Sequence, residues 1–179
     1  VVKHILIFIA LLLACKEQVV ISDAGGPLGG AEKKALSVVE TALKNAREGA
    51  HAELESQVGA PEICRFLLDQ EYEKASATER DRFCSLIKEY LVVNALPRTM
   101  SMLQKADLSQ VSYGRPMLSG NRAEIESAYK SFRLTWVLTR RKGGDWVITD
   151  YLRDGASGME TNRDKQIQPG IKRYGLTGL

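Results

Sequence analysis

The 179-residue chain predicts an α+β domain, in which a helical layer packs on an antiparallel sheet. Three observations carry that expectation. Apolar residues recur at helical spacing through the first half. Strict alternation replaces it in the second half. A Gly143-Gly144-Asp145 turn then joins two alternating segments into a hairpin.

The N-terminus precedes the domain. Lys3 and His4 lead into Ile5 to Ala14, an unbroken apolar run too short to span a bilayer and of a length that suits the core of a signal peptide. Residues 1–14 are therefore expected to be a signal peptide. Leu12-Leu13-Ala14-Cys15 reads as a lipobox with Cys15 as the lipidated first mature residue, and an ordinary secretory signal with an incidental Cys15 is the alternative. Residues 15–30 include Ser22 to Gly30, rich in glycine and poor in apolar groups, and are expected to form a flexible tether. Residues 31–179 remain as one domain with room for a sizeable core.

Ala31 to Arg47 places Ala35, Val38, Val39, Ala42, Leu43 and Ala46 on one helical stripe, with Lys33, Lys34, Glu40 and Lys44 opposite. A second helix begins after Ala60-Pro61 and carries Ile63, Phe66 and Leu67. Ser76 and Glu79 form a capping box for a third, Thr78 to about Lys105, whose stripe includes Phe83, Leu86, Ile87, Tyr90 and Leu91. Pro97 must kink or break it near Val93. Short strands around Val111 to Tyr113 and Ile125 to Tyr129 are punctuated by Gly114-Arg115-Pro116 and Ser119-Gly120-Asn121. In the hairpin, Leu134, Trp136 and Leu138 share one face, and Trp146, Ile148, Asp150 and Leu152 alternate with Val147, Thr149 and Tyr151.

The net charge of +3 is too modest to imply nucleic acid. Arg140-Arg141-Lys142 beside the glycines reads as a solvated turn. HExxH, CxxC, Walker and GxSxG patterns are absent, and His51 stands alone among residues of ordinary polarity. Asp150 and Asp154 are better read as strand-end and turn residues than as paired catalytic carboxylates. No enzyme activity, cofactor or metal is expected. Cys64 and Cys84 lie on separate predicted helices, where a disulfide and two separately buried thiols both fit.

Trp136, Trp146, Asp150, Gly155, Ser157 and Arg163, followed by Tyr174-Gly175-Leu176-Thr177-Gly178-Leu179, make an ordered pattern, and Thr78 to Phe83 adds a weaker one. In these residues the chain resembles the MlaC-type family of periplasmic phospholipid-binding proteins, also known as toluene-tolerance or ABC-transporter auxiliary components. The resemblance implies a curved sheet under a helical layer, nuclear-transport-factor-like, with an apolar cavity between them. It implies a monomeric shuttle that carries phospholipid between an outer-membrane lipoprotein and porin complex and an inner-membrane ABC transporter. A hopanoid or isoprenoid ligand, or an envelope lipoprotein acting only through protein contacts, are the rival readings. The cavity lining expected on this basis is Leu36, Val39, Leu43, Phe66, Phe83, Ile87, Tyr90, Leu134, Trp136, Leu138, Trp146 and Ile148. Three departures fall near the end: Asn162 replaces an aromatic, Pro169-Gly170 is expected to interrupt the final helix, and the chain stops at Leu179 where relatives continue.

Overall fold

The computed structural model describes residues 26–178. The signal-peptide and lipidation expectations, Cys15 included, lie outside them. Helix α1 (Gly30–Glu48) is followed by α2 (His51–Gln57), α3 (Ala60–Leu68), the single turn α4 (Glu71–Lys74), α5 (Ala77–Tyr90) and α6 (Leu96–Leu103). Strands β1 (Ser112–Tyr113), β2 (Met117–Ser119), β3 (Arg122–Tyr129), β4 (Phe132–Arg140), β5 (Trp146–Arg153) and β6 (Ala156–Ser157) come next, and α7 (Gly158–Asn162) and α8 (Gln168–Tyr174) finish the domain. All strand pairs are antiparallel, in the order β1-β3-β4-β5-β6, with β2 also on β3.

Local chemistry sets the helix limits. The Ser76 hydroxyl accepts the Glu79 N–H at 3.3 Å, and the Glu79 carboxylate accepts the Ser76 N–H at 2.9 Å. This is the expected capping box, and it starts α5. The expected interruption also occurs: Leu91–Ala95 widens into a π-turn, and Pro97 then sits in the first turn of α6. The same arrangement recurs at Arg163–Ile167, before Pro169 in α8. In both places the wider turn relieves the clash between a proline ring and the carbonyl one turn back, so the chain continues where it could have stopped.

Strand β5 overturns one expectation. Trp136 pairs with Tyr151 and Leu138 with Ile148, but Val137 pairs with Asp150, so one extra residue is accommodated at Thr149. That bulge reverses the alternation. Trp146 and Ile148 lie on the helix-facing side as expected, whereas Tyr151, in place of Asp150 and Leu152, continues that side toward the strand end.

Beside the bulge the chain enters α3. The Gly59 N–H donates to the Ile148 carbonyl at 2.8 Å, and Val58 makes a parallel bridge to Ile148. A Cβ on Gly59 would lie 2.8 Å from Val147 Cγ2 and 2.9 Å from Thr149 Cγ2; only glycine lets the backbone pass this close to the sheet.

Arg140 and Lys142 are exposed, as expected of a solvated turn, but Arg141 is half-buried and paired. Its Nε and Nη2 donate to the Glu62 carboxylate at 2.9 and 3.0 Å, tying the hairpin turn to α3. Those bonds hold the Glu62 carboxyl below its ordinary value of 4.5. With its folded pKa below the unfolded one, Glu62 adds stability that is complete above the unfolded value and is lost as pH falls through the folded one. Urea midpoints followed from about pH 7 down to about pH 3 should therefore decline less for Glu62→Gln than for the parent protein. Parallel declines would remove this pair from the acid response.

Among the described residues, three apolar clusters hold the domain. One joins α3, α5 and α7 through Ile63, Leu67, Leu68, Phe83 and Met159, and contains the disulfide between Cys64 and Cys84, whose Cα atoms are 5.2 Å apart. A second packs Ala35, Val39 and Leu43 of α1 on Ala123, Ile125, Leu138 and Trp146 of the sheet. The third, around Ala42, Ala46, Leu54, Leu96 and Met100, joins α1, α2 and α6.

Candidate functional site: two apolar cavities around Trp136

Where α1, α6 and the sheet face one another, the packing opens into two cavities, of about 90 and 80 Å³. The first is bounded by α1, α2, α3, α6 and β5, with Ala46, Leu54, Leu91, Ile148 and Tyr151 among its walls. The second lies toward the β3–β4 turn, bounded by Leu108, Val111, Ser127, Tyr129 and Phe132. Leu43, Thr99, Leu103, Leu134 and Trp136 line both. Both surfaces are almost wholly apolar.

Each wall follows from local sequence. On α1 the stripe shrinks from Val39 and Leu43 to Ala42 and Ala46, and small side chains leave volume that larger ones would fill. On β4 the alternation aims Phe132, Leu134 and Trp136 at the helices. The Trp136 indole donates its N–H to the Ser127 hydroxyl at 2.8 Å. That hydroxyl in turn donates to the Leu134 carbonyl at 3.3 Å, so a buried serine fixes the ring between the two cavities. Burying an indole N–H or a hydroxyl without a partner is costly, and here each answers the other.

Of the twelve residues expected to line a cavity, Leu43, Leu134, Trp136 and Ile148 do so. Leu36, Val39, Leu138 and Trp146 belong to the filled contact between α1 and the sheet. Phe83, Ile87 and Tyr90 pack in or against the α3–α5 cluster. Phe66 is 39% exposed, with the Arg163 guanidinium over its ring at 4.8 Å. Amphipathic spacing identifies which face is covered and not by what, so it does not separate residues of the cavity walls from those of the filled clusters. The α6 walls, Leu96, Thr99 and Leu103, lie outside the expected set.

The polar groups near the cavities are engaged in structure. The Asp150 carboxylate accepts the N–H groups of Tyr151 at 2.7 Å and Met159 at 2.9 Å, and the Ser157 hydroxyl. Ser157 also caps α7 by accepting the Glu160 N–H at 2.8 Å. Asp154, with φ of 52°, turns the chain into Gly155. These two carboxylates therefore do the strand-end and turn work expected of them. Burial raises the Tyr151 phenol pKa, and the Asp150 charge adds to the rise. Among the described residues no group of three or more His, Cys, Asp and Glu is placed to hold a metal ion, and no helix is long and apolar enough to cross a membrane.

The solved structure of a phospholipid-binding protein from Ralstonia solanacearum, in complex with a phospholipid, superposes with a TM-score of 0.64 at 15% identity, covering 84% of this chain and 92% of that one. The likeness extends to the fold, helices over an antiparallel sheet. No curated protein sequence matches. The family model described as MlaC protein matches residues 34–179, nearly the whole described domain, and the chain belongs to that family.

Proposed function

We propose that the protein binds a phospholipid by its acyl chains, in the space around Trp136, and carries it through the periplasm between the outer membrane and an inner-membrane ABC transporter. The observation that carries this reading is the pair of adjoining apolar cavities between helices and sheet. The family match and a structural neighbour that holds a phospholipid support it.

The energetics fit a carrier. Moving two acyl chains, roughly thirty methylenes at about 0.8 kcal/mol each, out of water is worth on the order of 25 kcal/mol. A lipid thus crosses an aqueous space only inside an apolar host, and exchange between bilayer and host is nearly balanced. Direction must come from partners. Cavities of about 90 and 80 Å³ are smaller than the roughly 150 Å³ that admits benzene, so seating a chain requires the walls to part. Helix α6, shared by both cavities and joined to α5 through the π-turn, is the wall suited to yield.

The buried polar groups are spent on capping and on positioning Trp136, which suits binding better than catalysis. Organic extraction of the purified protein, followed by mass spectrometry, tests the proposal. One phospholipid per chain is the expected result. Extraction of an isoprenoid in its place, or of no lipid after gentle purification, would reject it.

A further inference from the structure

The second cavity reaches the β3–β4 turn at one end of the sheet. Tyr129 and Phe132 are directly opposed across the β3–β4 hairpin, and both line the second cavity. A cation lies over each ring: Lys130 Nζ is 5.2 Å from the centre of Tyr129, and the Arg153 guanidinium 5.6 Å from that of Phe132. The β5 bulge decides where Arg153 goes. By returning Tyr151 to the helix-facing side it returns Arg153, two residues on, to the same side. Arg153 thereby stands beside Phe132 of the second cavity and two residues along the strand from Tyr151 of the first. Its positive charge also opposes the upward shift of the Tyr151 phenol. Arg153 pairs with Asp154, whose Oδ2 lies 3.8 Å from Arg153 Nε, with a side chain 89% exposed. That long, exposed contact leaves most guanidinium donors to others.

We propose that Arg153, with Lys130 over the neighbouring ring, seats the phosphodiester of a two-chain lipid whose acyl chains lie in the two cavities on either side of Trp136. This rests on the phospholipid reading and adds to it an anion site and an orientation. A planar guanidinium suits a phosphate because two N–H groups can reach two oxygens together. Trp136, held by Ser127, lines both cavities and so stands between the chains, and Phe132, under the Arg153 guanidinium, lines the second. Both cations are exposed, so the site selects among lipids and adds little to holding them.

The test uses the purified protein incubated with vesicles of equal parts dioleoyl-phosphatidylglycerol and dioleoylglycerol in phosphatidylcholine, two lipids with the same chains, of which only the first bears an anionic phosphate. Bound lipids are extracted and counted by mass spectrometry. Each exposed cation is expected to favour the phosphate-bearing lipid up to about fivefold. R153Q should lower the ratio of phosphatidylglycerol to dioleoylglycerol by about that factor, R153K should restore much of it, and R153Q with K130Q should lower it further. Salt should weaken the preference in the parent protein and not in the double variant. An unchanged ratio in the double variant overturns the seat and leaves the carrier standing. Displacement of the preference by millimolar glycerol 3-phosphate also overturns it, since the cations would then be a site for free phosphate. Uptake of no lipid at all, phosphatidylcholine included, rejects the carrier reading itself.

Discussion

Trp136→Asp should leave a folded protein that has lost its lipid, with retention reduced at least about a hundredfold, some 2.8 kcal/mol at 1.4 kcal/mol per decade. The indole is half-buried and stands between two cavities, so an aspartate there has space and water around it. It would be far costlier at Leu138, which is fully buried in the contact with α1. What the carboxylate does is place charge where acyl chains must lie, and an unpaired charge beside methylene groups is strongly unfavourable. The Ser127 hydroxyl also loses its indole donor, but keeps its bond to the Leu134 carbonyl. Extracted lipid per folded chain, with circular dichroism to establish folding, reads the outcome. A variant that unfolds would make Trp136 a core residue, and one that retains lipid would move the binding space elsewhere.

The second large effect is on stability. Replacing Cys64 and Cys84 together by serine should lower the unfolding free energy by about 3 kcal/mol, because their disulfide closes a loop of 20 residues in the unfolded chain. For a domain of this size that corresponds to a fall of about 6–12 °C in Tm. The bond ties α3 to α5 within the cluster of Ile63, Leu67, Leu68 and Phe83, away from most of the cavity wall. Lipid content should therefore be unchanged. Reductant should bring the parent protein down to the Tm of the double variant and leave the variant where it was. A double variant as stable as the parent would show that helix packing alone supplies this cluster's stability.

These two expectations separate regions that periodicity had merged. The stripes containing Val39, Phe83 and Trp136 look alike in sequence, since each records only that a face is covered. In the structure Val39 meets Ala123, Ile125 and Leu138, and Phe83 meets α3 and the disulfide. Trp136 alone of the three meets open space. The cavity walls also include Ala42 and Ala46, which matter through the volume they do not fill, and no periodic pattern signals that.

Legible in the sequence were elements whose causes are local: the capping box at Ser76 and Glu79, the break before Pro97, the Gly143-Gly144 hairpin, and the order of helices and strands that gives an α+β domain. Family resemblance supplied the expectation of a cavity. The rest belongs to tertiary structure. The bulge at Thr149 depends on how β5 pairs with β4 and runs beside Val58 and Gly59, and it moved Tyr151 and Arg153 to the cavity side against simple alternation. The pairing of Cys64 with Cys84, the tie between Arg141 and Glu62, and the position of Trp136 between two cavities likewise join residues distant in the chain. Local propensity is set by a few neighbours along the backbone, whereas a cavity is the volume left when separate elements have met, so it can be located only after they have packed.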